Sequence, residues 1–195
     1  MVSIAVLIFD GVEELDFVGP WEVLAAWASQ HPGDDVDVYT VGWTGREVEC
    51  AKRLHVTADR IRDELGTPDV LVVPGGRGTR ALVRDDAFLT LLRETDNRGA
   101  RIASVCTGSL TLAAAGLLDG KPATTHWSTL DALATLGTDV DVRPDDRFVT
   151  AGSIVTAAGV SAGIDMALHL VAILSSVERA REVKRYIQYD PAPPV

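Results

Sequence analysis

Three near-continuous apolar runs mark the chain: Ser3 to Phe9, Pro68-Asp-Val-Leu-Val-Val-Pro74 and Ala100 to Val105. Runs without polar alternation suit central strands of a parallel sheet, buried on both faces. Val36-Asp-Val-Tyr-Thr-Val-Gly42 alternates instead, as a half-buried strand does. Gly45 to Cys50 and Leu54 to Thr57 read as a small hairpin or edge excursion, and Val140 to Thr150 as short strand pieces. Helical spacing fills the intervals: Val12 to Trp27, Asp85 to Arg98, Leu110 to Leu118, a segment entered after His126 and running to about Leu136, Ile164 to Leu174, and Val177 to about Tyr189. Gly19-Pro20 interrupts the first of these, which predicts a break just after Asp16 with Pro20 opening a new helix. Ile164 to Leu174 is apolar nearly all round, which predicts a buried helix. In the last helix Val177, Ala180, Val183 and Ile187 share one stripe, while Arg179, Arg181, Lys184 and Arg185 interleave with Glu178 and Glu182 as a solvated face. Alternating strands and helices imply an α/β doubly wound, mostly parallel sheet with helices on both faces, flavodoxin-like, in one domain over residues 1–195 with a Pro-rich tail at 190–195.

The run ending at Val105 delivers Cys106-Thr107-Gly108-Ser109 into an Ala/Leu-rich helix, so a thiol stands where a strand becomes a helix. Unpaired N–H groups of a first helical turn, with the helix dipole, favour a negative charge, which predicts a thiolate of depressed pKa. Gly108 permits close backbone approach, and Thr107 and Ser109 put polar groups where a core helix would use aliphatics. Read on its own, a free cysteine is equally a small buried hydrophobe. The strand-turn-helix context favours a nucleophile, by analogy with nucleophile elbows.

In doubly wound sheets ligands sit beyond the carboxyl ends of the strands, where Asp16, the Gly75-Gly76 loop and Cys106 would emerge together. Asp16 lies between Leu15 and Phe17, and an apolar setting would raise its pKa towards a general-acid range. Gly75-Gly76-Arg77-Gly78 partly imitates a dinucleotide fingerprint, but the next strand ends in Val105-Cys106 and lacks the acidic ribose anchor. A tight turn presenting amides to an oxyanion fits it better. His126 either completes a Cys/His pair or lines the pocket wall, hydrogen-bonded locally. His169 reads as a satisfied core residue, and nothing recommends His31 or His55.

A net charge of −10 over 195 residues argues against a sequence-independent grip on nucleic acid. Cys50 and Cys106 stand in no metal-ligand or redox-pair spacing, so no metal site and no disulfide framework is expected, and a reducing, cytoplasmic setting fits. Met1 to Phe9 lacks a basic flank and a small-residue cleavage site and reads as a first strand; no apolar run reaches bilayer-spanning length.

The chain resembles the DJ-1/PfpI superfamily (class I glutamine amidotransferase-like) over essentially its whole length. The motifs are Phe9-Asp-Gly-Val-Glu-Glu-Leu-Asp16-Phe-Val-Gly-Pro20, Val73-Pro-Gly-Gly76, Ser104-Val-Cys106-Thr107-Gly108-Ser109, Ala115-Gly-Leu-Leu-Asp-Gly120, Ala123-Thr-Thr-His126-Trp127 and Ser161-Ala-Gly-Ile-Asp165. Within the superfamily it is most similar to the isocyanide (isonitrile) hydratases, including the tail Gln188-Tyr-Asp-Pro-Ala-Pro-Pro194. That resemblance implies a cofactor-free cytoplasmic homodimer adding water to a small isocyanide to give an N-substituted formamide. It makes Cys106 the nucleophile, Asp16 its acid/base partner and Thr107 the neighbour shaping the thiolate site. Many superfamily members carry Glu at the position of Asp16, and the PfpI-like proteases carry His at the position of Thr107; both departures count against peptidase or deglycase chemistry. The same motifs resemble the ligand-sensing half of AraC-type regulators.

Three readings follow. In the first, a Cys106 thiolate attacks the isocyanide carbon to give a thioimidate that water resolves, Asp16 moves protons, and amides near Gly76 and Thr107 hold developing charge. In the second, the protein is a small-molecule or oxidative-stress sensor with Cys106 as its redox-sensitive thiol. The third is hydrolase or amidotransferase-like chemistry by Cys106 with His126.

Overall fold

A computed structural model describes residues 1–191, so the Pro-rich tail expected at 190–195 lies largely outside the described residues. The chain runs β1 (Val2–Ile8), α1 (Glu14–Gln30), β2 (Val36–Gly42), β3 (Glu47–Glu49), β4 (His55–Thr57), β5 (Arg60–Ile61) and β6 (Val70–Val73). Then come α2 (Thr79–Leu82), α3 (Asp86–Asn97), β7 (Arg101–Val105), α4 (Gly108–Ala114), β8 (Pro122–Ala123), α5 (Leu130–Leu136) and β9 (Asp141–Val142). It closes with β10 (Phe148–Ala151), β11 (Ile154–Ala157), α6 (Ala162–Leu174) and α7 (Val177–Tyr186).

The main sheet has the order β10-β11-β7-β6-β1-β2-β5, parallel except for the β10–β11 hairpin. The fully apolar segments take its centre: Ile4 to Ile8, Val70 to Val73 and Ile102 to Val105 are buried throughout, whereas alternating β2 is part-exposed at its start. α1, α6 and α7 pack together over one face, and α3 and α4 cover β7 from the other. After β1 the chain turns to β2 and later returns to the opposite side through β6, leaving a crevice where strand order reverses.

Three expectations are corrected. α1 is continuous from Glu14 to Gln30 through Pro20, so Asp16 lies in its first turn and not at a break. Pro20 cannot supply the N–H that the Asp16 carbonyl would accept, and the loss of that one bond near the helix start is tolerated. Gly19 lets α1 lie close to α6, since a Cβ there would stand 3.1 Å from Ile164 Cγ1. α6 is not buried all round: Ile164 and Leu168 are half-buried and Ile173 is exposed, because only one of its faces meets α1 and the sheet. Arg179 is not a solvated side chain: its Nε and Nη2 donate to the Asp34 carboxylate at 2.6 and 3.0 Å, tying α7 to the turn after α1.

Candidate active site

Asp16, the Gly75-Gly76 loop and Cys106 converge at the crevice. Two main-chain contacts join the loops after β1 and β6: Glu13 N–H donates to the Gly75 carbonyl (3.0 Å), and Val12 bridges Gly76. Gly76 has φ 123°, which favours glycine, and Gly75 sits where a Cβ would meet Thr107 N at 2.6 Å and Asp16 Oδ2 at 2.7 Å. No side chain fits between those two groups.

Gly75 N–H donates to Asp16 Oδ2 at 2.9 Å. Gly76 N–H donates to Thr107 Oγ1 at 2.9 Å, and the Thr79 hydroxyl donates to the Gly76 carbonyl at 2.7 Å while standing 3.1 Å from Thr107 Oγ1. Both glycine amides are therefore spent on side chains. The expectation that Gly75 and Gly76 present N–H groups to an oxyanion does not hold; their amides orient Asp16 and Thr107 instead.

Cys106 adopts φ 55°, a left-handed conformation that costs a non-glycine residue about 1–2 kcal/mol. Its N–H is held by the carbonyls of Ala157 and Ala158, and its carbonyl accepts from Ser109 Oγ (3.1 Å) and Thr125 Oγ1 (2.9 Å). These bonds fix the elbow in its strained form. The residue is only 6% exposed, at the floor of a cavity of about 420 Å³ also lined by Thr107, Leu110, Ala132 and Val160.

The thiol is not activated as the elbow argument expects. Burial pushes its pKa up to about 12, and the charge of Asp16 adds to the rise; the N–H groups of Thr107 and Val160 oppose both and are outweighed. Asp16 is fully buried, and desolvation raises its pKa to about 7 against the pull of the Gly75 amide. Its Oδ1 is buried without a hydrogen-bond partner, and the neighbouring Cys106 thiol, like the Gly75 amide, favours the ionised carboxyl. The resting thiol is thus protonated near neutrality, beside a carboxyl held well above the usual carboxylate range.

His126 lines the cavity, but its Nδ1 is taken by Ser128, 2.7 Å from the hydroxyl and 3.3 Å from the amide. Asp16 and the amides of Thr107 and Val160 act on the thiol. The local bond from His126 to Ser128 is the arrangement of the wall-lining alternative. His169 is half-buried, bonded to Thr150 Oγ1 at 3.0 Å and stacked on Phe148. Among the described residues no cluster of His, Cys, Asp or Glu could hold a metal ion, and no helix is long and apolar enough to cross a membrane.

Sequence reading passed over Val160, Thr79 and Thr125. Val160 carries φ 47°, a rare backbone for a β-branched side chain, and its amide faces the sulfur. The available signal was its place at the carboxyl end of a strand, in the small-residue loop before α6. Thr79 and Thr125 act through main-chain carbonyls, and nothing in their spacing announces that.

A model of the DJ-1/PfpI family matches residues 2–173. The chain is 39% identical over 193 residues to an isonitrile hydratase of Pseudomonas putida, covering 99% of this chain and 81% of that protein. It is 32% identical over 167 residues to the HTH-type transcriptional regulator CdhR of Pseudomonas aeruginosa, 85% of this chain but 48% of the regulator. A crystal structure of a ThiJ/PfpI family protein from Pseudomonas syringae superposes with a TM-score of 0.86 at 34% identity, over 100% of this chain and 77% of that one.

Proposed function

The chain belongs to the DJ-1/PfpI family, and from that membership and the site's geometry we propose that it is a cofactor-free, cysteine-dependent hydro-lyase converting a small isocyanide to an N-substituted formamide. The observation that carries this reading is the buried Asp16, aimed by the Gly75 amide, beside the Cys106 thiol at the floor of the cavity.

The chemistry suits such a pair. A terminal isocyanide carbon accepts a nucleophile and then carries a lone pair that needs a proton. Ionised Asp16 takes the thiol proton as the Cys106 sulfur bonds to that carbon, then returns it to the same carbon, giving a thioimidate, Cys106–S–CH=N–R. A carboxyl near pKa 7 can both accept and release this proton at neutral pH. Water then adds to the thioimidate carbon, its proton passing through Asp16 to nitrogen. The C–S bond breaks, sulfur recovers a proton, and R–NH–CHO leaves. The Thr107 and Val160 amides stabilise charge on sulfur while it attacks and departs. Thr107 is held by Gly76, and His126 forms part of the substrate wall.

The reading includes a homodimer in a reducing, cytoplasmic setting, without nucleic acid. Leu15, Val18 and Trp21 expose an apolar face of α1 that a second copy would cover, and Val18→Glu would then yield monomers by light scattering. The direct assay follows formamide formation from cyclohexyl isocyanide. Turnover that vanishes in Cys106→Ala is expected; no turnover of either cyclohexyl isocyanide or isocyanoacetate by the native protein, or undiminished turnover by the variant, overturns the proposal. The sensor alternative draws on the similarity to CdhR, and mild peroxide treatment followed by mass spectrometry of Cys106 tests its redox form.

A further inference from the structure

The cavity above Cys106 has apolar, polar and charged lining, the polar part from His126, Ser128 and Thr129. Leu110, Ala132 and Val160 make an apolar wall, and Arg77 and Arg80 line the cavity from the loop and short helix after β6. Both arginines are exposed, in a protein with 28 acidic residues and 18 basic ones. The ion pairs that arginines make among the described residues fall to Arg46, Arg60, Arg62, Arg143, Arg147 and Arg179, none of which lines this cavity. Glu13 also reaches the cavity; its carboxylate and that of Glu14 share the Lys52 ammonium, and no ion pair joins it to Arg77 or Arg80 among the described residues.

Unpaired surface arginines are common and need no explanation by themselves. The position of these two is the informative part: two cations without an ion-pair partner among the described residues border the cavity that ends on the candidate nucleophile. A guanidinium offers a fork of N–H donors that matches a carboxylate in two parallel hydrogen bonds. A rim of this kind also raises the local concentration of anionic substrates, against the repulsion set by the overall charge.

We propose that the natural substrate of this site is an isocyanide bearing an anionic group, a carboxylate in the simplest case, which Arg77 and Arg80 receive while the isocyano carbon reaches Cys106. The inference rests on the hydration reading for the identity of the reacting group, but not for the anion-binding rim. The body between the two ends is short and apolar, matching the wall of Leu110, Ala132 and Val160.

The test compares isocyanoacetate and 4-isocyanobutyrate with their methyl esters, using the full chain. The acid is expected to exceed its ester in kcat/KM by about tenfold or more for at least one length, as one guanidinium–carboxylate contact supplies. In Arg77→Gln/Arg80→Gln the acid-to-ester ratio falls towards one; the ester serves as the internal measure of folded enzyme. Acids no better than esters at both lengths, or an unchanged ratio in the double variant, overturn the proposal. Titration calorimetry with N-formylglycine and 4-formamidobutyrate, against their methyl esters, reads the rim without turnover. If no isocyanide is hydrated but a formyl acid binds more tightly than its ester through the arginines, the hydration reading falls and the anionic rim stands. If isocyanides are hydrated and neither acid is favoured in turnover or in binding, the rim proposal falls and hydration stands.

Discussion

The Gly75 amide donates to Asp16 Oδ2 at 2.9 Å, so the carboxyl that faces the Cys106 thiol is aimed by the loop of a different strand. That bond favours the ionised carboxyl, and burial outweighs it. Asp16 is consequently well placed and poorly solvated at once.

Asp16 binds its proton more tightly folded, near pKa 7, than unfolded, at 3.8. Its favourable contribution is full below about pH 4 and is lost as pH rises through 7, leaving a buried charge of the order of a few kcal/mol. Asp16→Asn should raise the melting temperature clearly at pH 8 and little at pH 4, while lowering turnover by about 10²-fold or more. Equal stabilisation at both pH values would refute the buried charge.

Turnover should rise with pH through about 7 as Asp16 ionises, since the first step needs its carboxylate. The resting thiol, with a pKa pushed to about 12, should react with iodoacetamide at pH 8 about 10²-fold or more slowly than free cysteine. Peptide mapping would identify the alkylated residue; fast labelling of Cys106 would show an activated resting thiolate and favour the sensor reading.

Gly75→Ala places a methyl carbon 2.6 Å from Thr107 N and 2.7 Å from Asp16 Oδ2. Prising the two groups apart should cost about 1–3 kcal/mol of stability and most of the activity. Denaturant melts alongside turnover separate the two effects, and an alanine variant of native activity would show that the turn has slack.

Arg179 forks onto Asp34, which also accepts from Trp27 Nε1, and these bonds hold the Asp34 carboxyl below its usual range. Its stabilising effect is present above the ordinary carboxylate pKa and lost as pH falls below about 4. Arg179→Ala should lower the melting temperature by about 2–4 °C at pH 7, with less effect at pH 3 or when Asp34 is already Asn. An effect independent of Asp34 would assign the loss to packing alone.

The sheet was legible because its central strands are apolar on both faces, and only a parallel sheet with two helical layers covers such strands. Cys106 and the Gly75-Gly76 loop were legible because each follows a strand closely, and Asp16 because it lies near the start of the helix that the first strand leads into. What one residue does with another was not. The spacing around Pro20 suggested a break, yet the helix runs on through a proline at its seventh residue, where only the Asp16 carbonyl loses its helical donor. The elbow suggested an acidic thiol, but a depressed pKa depends on solvent exposure, which sequence does not state, and on the charge of Asp16 beside it. The glycine amides were visible as donors, but not the side chains that had already claimed them.

The left-handed backbones of Cys106 and Val160 extend this beyond chemistry. Both are strained where glycine would rest easily, and Asp16 adds a buried charge beside them. A gene copy released from the need to react could drift towards glycine or neutral residues at all three positions and gain stability with each step. Cysteine, valine and aspartate stand there in place of the residues that the backbone and the burial alone would favour. Thermal stability selected without an activity screen should therefore erode this site first.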